Sequence, residues 1–151
     1  MIWSHTFTVR APVDRIYRYG LSPERWFTFY PAYAGLAGVE GDWPEVGSVI
    51  YVRYRLVGPL TMILRQEVVD HEWGRYLELD ERGLRDFWVD HPRFEFTERS
   101  DGSTEVTLTV RPDSGRWWGK PLVWLISQPF RRLTPKAMQA FAAMVEGEDL
   151  V

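Results

Sequence analysis

Residues 117–145 read WWGKPLVWLISQPFRRLTPKAMQAFAAMV, the longest apolar helical pattern in the chain. The pattern predicts a helix from about Trp117 to Val145, which is about 43 Å long if straight. Pro129 and Pro135 predict a kink, or a break into two or three pieces. The apolar stripe at helical spacing comprises Trp118, Leu122, Leu125, Ile126, Leu133, Ala137, Ala140, Phe141 and Met144. This helix is the only predicted element large enough to cover the concave face of a curved sheet.

The residues before this helix predict an antiparallel meander. Its turns are Gly58-Pro59, Glu81-Arg82-Gly83 and the hairpin signal Asp101-Gly102. Pro92 predicts a bend in the longest strand, because proline cannot donate a ladder hydrogen bond. The predicted strands are Ser48–Val57, Leu60–Asp70, Arg75–Asp80, Leu84–Glu98 and Thr104–Arg111.

Alternation along these strands predicts which face is buried. Arg53, Arg65 and Glu67 fall on the opposite face, where they are expected to be solvated cross-strand neighbours. A sheet with one apolar and one charged face is typical of an antiparallel sheet with one wet side. The apolar face predicted from alternation comprises Ile50, Val52, Tyr54, Leu56, Met62, Leu64, Gln66, Val68, Val106, Leu108 and Val110.

The first thirty residues predict one strand and two short helices. The strand covers Ile2–Val9. Ala11-Pro12-Val13-Asp14 begins a helix that Gly20 can end, with proline and an acidic residue in the first turn. Ser22-Pro23-Glu24 repeats the start signal, and Pro31 stops this second helix.

Composition narrows the class of protein. The chain has 151 residues, which predicts a single domain over 1–151, and 45% of them are hydrophobic. A net charge of −3 favours neither nucleic acid nor a membrane as the main partner. There is no cysteine, no signal-peptide pattern and no apolar run long enough to span a bilayer, so we expect a soluble, cytoplasmic protein without stable membrane insertion.

The order of elements resembles the START-like superfamily, also called the polyketide cyclase/dehydrase and lipid-transport group. The resemblance is carried by Thr6-Phe7-Thr8-Val9 followed by Ala11-Pro12-Val13-Asp14-Arg15-Ile16-Tyr17, by Ser22-Pro23-Glu24-Arg25-Trp26 with Pro31, and by Gly102-Ser103-Thr104-Glu105-Val106. It covers nearly the whole chain, and its motifs are architectural.

The resemblance implies an α+β helix-grip fold. In this fold a curved antiparallel sheet of six or seven strands wraps around a long C-terminal helix, and two short helices follow strand 1. It also implies a cavity between sheet and helix, often filled by an apolar ligand. Members include lipid carriers, quinone-binding proteins, hormone receptors and aromatase/cyclases, so the fold does not choose an activity.

Three polar side chains are predicted to point toward this cavity. Tyr54 and Gln66 lie between apolar residues of the same parity, and Asp90 shares parity with Trp88 and Phe94. A buried amide or carboxylate is costly unless it is paired. Each of the three therefore either has an internal partner or orients a ligand.

Aromatic side chains give the stronger argument for a pocket. The chain has eight tryptophans, and 15% of its residues are aromatic. Such rings favour a flat or polycyclic apolar ligand, although they can also fill the space completely. The full set of candidate ligand-binding residues is Trp26, Phe29, Tyr30, Tyr33, Tyr54, Met62, Gln66, Trp88, Asp90, Phe94, Trp124 and Phe130. The segment Tyr30 to Gly38 is predicted to be a loop that gates the cavity together with the terminal helix.

The sequence predicts no metal site and no cofactor, and no catalytic residue can be assigned from it. His5, His71 and His91 form no short metal-ligand motif, and no nucleophile or phosphate-loop motif is present. The first hypothesis is a monomer or weak homodimer that binds or carries a hydrophobic small molecule such as a lipid, quinone or polyketide-like aromatic. The alternatives are a cyclase/dehydratase-type lyase that uses the same cavity, and a protein-interaction module with a filled core.

Overall fold

A curved antiparallel sheet packed against one long helix forms the molecule. The structure is a computed structural model that describes residues 2–147, with only the backbone described for Val57. The strands are β1 Trp3–Val9, β2 Tyr33–Glu40, β3 Val49–Val57, β4 Leu60–Glu72, β5 Tyr76–Gly83, β6 Trp88–Asp90, β7 Arg93–Glu98 and β8 Thr104–Val110. The helices are α1 Val13–Tyr19 and α2 Lys120–Gly147, and the 3₁₀ turn Trp117–Gly119 leads into α2.

The sheet has the strand order β1-β8-β7-β5-β4-β3-β2, and β6 pairs with β5 beside β7. All of these pairs are antiparallel. β2 forms one edge, and its pairing with β3 shifts register between Tyr33 and Gly35 and again between Leu36 and Gly38. β1 forms the other edge, where Phe7 packs edge-on against Phe141 of α2 with ring centroids 6.2 Å apart.

The alternation predicted for the central strands is confirmed. Met62, Leu64, Gln66 and Val68 of β4 are buried, as are Val106, Leu108 and Val110 of β8. Leu56 is the exception among the residues of the predicted apolar face, because it lies near the end of β3 and is 36% exposed. The resulting single core lies between the concave face of the sheet and α2.

Two predictions about residues 22–40 are wrong. No helix forms at 22–30, where hydrogen bonds of helical type such as Trp26 N–H to Ser22 O at 2.8 Å give way to turns. Phe27 has a positive φ of 69°, which a continuing right-handed helix does not allow. The predicted Tyr30 to Gly38 loop is instead the turn into β2, where Leu36 opposes Val52 of β3.

The middle of the meander also differs in detail. The predicted turn at Glu81-Arg82-Gly83 belongs to β5, and the turn lies at Leu84–Phe87, where three successive residues from Leu84 to Asp86 have positive φ. The predicted Leu84–Glu98 strand is therefore shorter and begins at Trp88. The bend predicted near Pro92 is confirmed, because β6 ends at Asp90 and β7 begins at Arg93.

The terminal helix is continuous, so of the two outcomes predicted at Pro129 and Pro135 the break into pieces is wrong, while the kink stays a prediction. Each proline removes one helical hydrogen bond, and burial of one face of α2 offsets this cost. The buried face comprises Val123, Ser127, Thr134, Ala137, Met138, Phe141, Ala142 and Val145. The predicted stripe fails in its first half, because Trp118, Leu122, Leu125 and Ile126 are exposed. No helix among residues 2–147 is long and apolar enough to cross a bilayer.

Candidate functional site

A small cavity lies between the concave face of the sheet and α2. Its volume is about 30 Å³. That volume holds one or two water molecules and is too small for a ligand of drug-like size. The side chains that line it are Trp3, Trp26, Phe27, Tyr30, Gln66, Leu79, Glu81, Asp90, Pro92, Phe94, Leu108, Val110, Phe130 and Thr134.

Phe130 of α2 closes the cavity on the helix side. Its ring stacks on Tyr54 with centroids 5.0 Å apart and on Trp88 with centroids 5.8 Å apart. The ring of Tyr30 lies 5.6 Å away on another side. Phe130 sits directly after Pro129, which has no backbone N–H, so the helix that carries this ring lacks one of its hydrogen bonds.

A chain of hydrogen bonds runs through the core beside the cavity. The indole Nε1 of Trp26 donates to Oε1 of Gln66 at 2.6 Å, and Nε2 of Gln66 donates to Oε2 of Glu81 at 2.6 Å. The indole Nε1 of Trp88 donates to Oε1 of Glu81 at 2.9 Å. Gln66 is therefore oriented by its neighbours, and both oxygens of Glu81 have a donor.

Asp90 is a second buried carboxyl at the cavity, and it is only 3% exposed. Its Oδ1 accepts hydrogen bonds from the backbone N–H groups of His91 at 2.7 Å and Arg111 at 2.8 Å. Its Oδ2 makes no hydrogen bond to any of the residues 2–147. Asp90 therefore offers one carboxyl oxygen to a group that enters the cavity.

Glu81 and Asp90 oppose each other directly across the β5–β6 pair. Burial raises the pKa of Asp90 well above its ordinary value, and the charge of Glu81 raises it further. Burial also raises the pKa of Glu81, against the opposing effect of the hydrogen bonds from Trp88 and Gln66. Two like charges in this position repel each other, so the two carboxyls titrate as a unit and the pair holds a proton to a higher pH than an isolated carboxyl does.

The other polar groups of this region are the hydroxyls of Tyr30 and Thr134 and the indole of Trp3 in the wall, and the hydroxyl of Tyr54 behind it. Burial raises the pKa of Tyr30 and of Tyr54, so both stay neutral. The indole Nε1 of Trp3 is buried and has no hydrogen-bond partner among the described residues. The cavity wall thus contains one unpaired donor, from Trp3, and one unpaired carboxyl oxygen, from Asp90.

Comparison with solved structures identifies the architecture. The Zhui aromatase/cyclase from Streptomyces sp. R1128 matches with a TM-score of 0.72 and 12% identity, over 97% of this chain and 94% of that one. Ara h 8.0201 matches with a TM-score of 0.72 and 14% identity, over 96% and 97%. The major latex-like protein 151 from Panax ginseng matches with a TM-score of 0.63 and 18% identity, over 95% of each chain.

The chain has the helix-grip fold. At these identities the likeness shows the fold alone. No protein-family model matches the sequence, and a search of curated proteins finds no match. The fold class expected from the sequence is confirmed, except that the sheet has eight strands instead of six or seven and turns replace the helix at 22–30.

The helix-grip core brings six of the twelve predicted ligand-binding residues to the cavity wall: Trp26, Tyr30, Gln66, Asp90, Phe94 and Phe130. Tyr54 and Trp88 lie behind the wall, in contact with the ring of Phe130. Phe29, Tyr33 and Met62 lie in or against the surrounding core without lining the cavity. Trp124 is misplaced in the prediction, because it is 55% exposed near the start of α2. Whether any of the twelve binds a ligand stays a prediction.

The sequence prediction missed Glu81 and Trp3 at this helix-grip cavity. Glu81 follows Leu77 and Leu79 at the parity of the buried face of β5, but the Glu-Arg-Gly sequence favours a turn at this position. Trp3 shares parity with Phe7 and Val9 in β1. Extending the alternation by a few residues in either strand identifies both side chains.

The three histidines lie apart from one another. The ring of His71 is 3.0 Å from the hydroxyl of Tyr17, and Nδ1 of His91 lies 3.5 Å from Asp80 on the exposed face. No cluster of three or more His, Asp or Glu side chains that would suit a metal ion occurs within residues 2–147. The buried polar groups of the site are therefore carboxyl, amide, hydroxyl and indole groups.

Proposed function

We propose that this protein binds a flat, apolar small molecule that carries a hydroxyl or carbonyl oxygen. The observation that carries the proposal is Asp90, a buried carboxyl with one oxygen that has no hydrogen-bond partner among the described residues, in a wall that contains six aromatic rings. The rings bury the apolar body of a ligand, and a few convergent polar groups orient it. The unpaired indole N–H of Trp3 is the donor for an oxygen of the ligand.

A core built only for stability does not need this arrangement. Directly opposed like charges destabilise a strand pair, and burial adds the cost of removing both carboxyls from water. Glu81 and Asp90 combine both costs. Such costs are typical of functional sites, where other parts of the fold compensate for them.

The cavity must enlarge to admit this ligand, because its present volume is about 30 Å³. Phe130 is the side chain whose movement enlarges it most directly, since it stands between α2 and the rings of Tyr54 and Trp88. Pro129 and Pro135 flank Phe130 and weaken the hydrogen bonding of this part of α2. We therefore place the entrance at this segment of the helix.

The matching solved structures support the proposal through the shared fold, and they do not identify a ligand. One of the matching structures is described as an aromatase/cyclase. A fold hosts many functions, so the ligand of this chain has to follow from its own residues. The cytoplasmic location stays a prediction from the sequence.

The first experiment is native mass spectrometry of the purified protein, followed by denaturing extraction. A co-purifying mass of a flat, oxygen-bearing apolar compound is the expected result. A second measurement titrates naphthalene and 2-naphthol into the wild type, the Phe130→Ala variant and the control variant Phe96→Ala. Phe96 is buried but does not line the cavity.

Phe130→Ala is expected to bind both probes more tightly than the wild type, because it removes the ring that fills the cavity. Its affinity for 2-naphthol should exceed that for naphthalene by about fivefold, the effect of one added hydrogen bond. Phe96→Ala should leave both affinities unchanged. A protein that carries no extractable compound, together with a Phe130→Ala variant that binds neither probe, would overturn the proposal.

A dehydratase-type lyase is the second candidate, and the raised pKa of Asp90 favours it. A protonated Asp90 can give its proton to a hydroxyl of the substrate, which leaves as water when the C–O bond breaks. The ionised carboxyl of Glu81 or Asp90 then takes the proton from the adjacent carbon, which forms the double bond. If the protein catalyses this dehydration, the Asp90→Asn variant retains the substrate, so the compound extracted from it is heavier by one water than the compound extracted from the wild type. The same compound extracted from both proteins excludes this reaction.

A third candidate, a protein-interaction module with a filled core, is favoured by the small cavity volume. It predicts that no probe binds even after Phe130 is truncated. The titration described above therefore separates it from the first candidate.

A further inference from the structure

The 3₁₀ turn before α2 and the first turns of α2 expose an apolar surface, which we call the α2 tip and define as Trp117, Trp118, Leu122, Trp124, Leu125 and Ile126. Trp117 is 84% exposed and Leu125 is 60% exposed. Between Lys120 and Ile126 only Val123 is buried. A helix segment that is apolar on all sides is ordinarily surrounded by an apolar medium.

The charged side chains between residues 114 and 145 are all basic, while Asp113 lies beside the tip. No Asp or Glu occurs between Asp113 and Glu146, although the chain as a whole carries −3. The five cations of this interval are all exposed: Arg116, Lys120, Arg131, Arg132 and Lys136. Only Lys120 is near an acidic side chain, with its Nζ 3.7 Å from Asp113, among the described ion pairs.

The spacing of these groups suits a lipid surface. Arg131 and Arg132 lie about 10 Å along the helix from Leu125, at ~1.5 Å per residue. An interfacial helix buries its apolar residues about 5–10 Å into the headgroup boundary and places cations among the headgroups. Tryptophan is the residue preferred at this boundary, and the tip contains three.

Other occupants fit this surface less well. A partner protein that binds a helix usually covers one stripe at i, i+3 and i+4 spacing. Here Leu122, Leu125 and Ile126 share one such stripe, but the exposed Trp124 lies on the other side of α2, about 160° from Leu122, so a partner that covers one stripe leaves Trp124 in water. A second copy of the chain packed tip to tip would bring together two groups of like charges.

We infer that the α2 tip docks the protein onto an anionic lipid bilayer surface without crossing it. The apolar tip enters the headgroup boundary, and the cations of α2 contact the acidic headgroups. The local charge of α2, rather than the net charge of the chain, determines this partner. The inference does not depend on what the cavity binds.

The test is flotation of the purified full chain with vesicles on a density gradient. One set of vesicles is phosphatidylcholine, and the other is phosphatidylcholine mixed with phosphatidylserine. The wild type is expected to float with the mixed vesicles and to bind phosphatidylcholine alone at least about tenfold more weakly, since each cation near an anionic surface adds several-fold in affinity. Raising the salt concentration should reduce binding to the mixed vesicles.

Two pairs of variants locate the contact. Trp117→Ser with Leu125→Ser should weaken vesicle binding at least about tenfold, because two exposed apolar side chains no longer enter the boundary. Its matched control is Val46→Ser with Val69→Ser, which changes exposed apolar residues elsewhere on the surface. Arg132→Gln with Lys136→Gln should weaken binding to the mixed vesicles about thirtyfold. Its control is Arg53→Gln with Arg55→Gln on the exposed face of β3.

Equal thermal midpoints of the wild type and all variants show that the changes leave the fold intact. The inference is overturned if the wild type does not float with the mixed vesicles or binds both vesicle types equally. It is also overturned if Trp117→Ser with Leu125→Ser abolishes self-association in sedimentation velocity while flotation is unchanged, because a second copy of the chain is then the occupant.

Discussion

Asp90→Asn is expected to make the protein more stable at neutral and alkaline pH and to flatten its dependence on pH. Asparagine has nearly the same shape, and its Oδ1 can accept the two backbone hydrogen bonds at 2.7 and 2.8 Å. The new amide N–H₂ takes the place of Oδ2, which has no hydrogen-bond partner among the described residues. The substitution therefore removes the charge and keeps the hydrogen bonds.

The sign follows from the raised pKa of Asp90 in the folded protein. Between the unfolded and the folded pKa, the folded state binds more protons than the unfolded state, so stability falls as pH rises. One such group changes the free energy of unfolding by about 1.4 kcal/mol per pH unit in this window. The window begins near the unfolded pKa of about 3.9 and ends at the folded pKa.

The assay is urea denaturation of the wild type, Asp90→Asn and the control Asp42→Asn at each pH unit from 4 to 8. Asp42 is exposed in the turn before β3. Between pH 4 and the folded pKa of Asp90, the variant should gain on the wild type by about 1.4 kcal/mol per pH unit, or about 2–6 °C in Tm, and the difference should then stay constant. Curves of Asp90→Asn and wild type that run parallel over the whole range would show that Asp90 has no raised pKa and refute the reasoning.

Two further predictions concern stability. Glu81→Gln should lower the free energy of unfolding in urea by about 1–3 kcal/mol, because its new amide N–H₂ must face one of the two donors, Trp88 Nε1 or Gln66 Nε2. The control Glu67→Gln on the outer face should change this free energy by no more than about 0.5 kcal/mol, and an equal effect of the two changes would contradict the hydrogen-bond chain. Gly20→Ala should cost about 1–3 kcal/mol, because the added Cβ would lie 2.6 Å from the Phe141 ring. Gly147→Ala, which meets no atom within 4 Å, is the control, and a Gly20→Ala protein as stable as this control would show that Phe141 moves freely.

Much of the sheet could be predicted because strand alternation is a local signal. Met62, Leu64, Gln66 and Val68 follow each other at a period of two, and no distant contact is needed to assign their face. The start signal at Ser22-Pro23-Glu24 is equally local and produces one helical turn. What ends that turn is the left-handed backbone of Phe27, whose ring packs 4.6 Å from Tyr30 and 5.9 Å from Tyr54. Packing against a distant strand overrides helix propensity at this point, and the sequence of the segment does not contain that information.

The candidate site could be predicted only in part, because local alternation gives the face of a residue but not its neighbour on the paired strand. Asp90 and Gln66 were placed by parity, but the partner that couples to Asp90 depends on the pairing of β5 with β6. The misplacement of Trp124 has another cause. A helical stripe shows which residues share a face but not how far along the helix the sheet extends, and α2 is about 42 Å long.

The two register shifts in β2 have a consequence for how the molecule behaves among other copies of itself. A regular strand at the border of a sheet is a template on which a neighbouring chain can add its own strand. In β2 the interruptions at Gly35 and Gly38 break the even spacing of outward N–H and C=O groups. An incoming strand finds only short runs of matching partners there, so this border resists the growth of intermolecular sheets and aggregates.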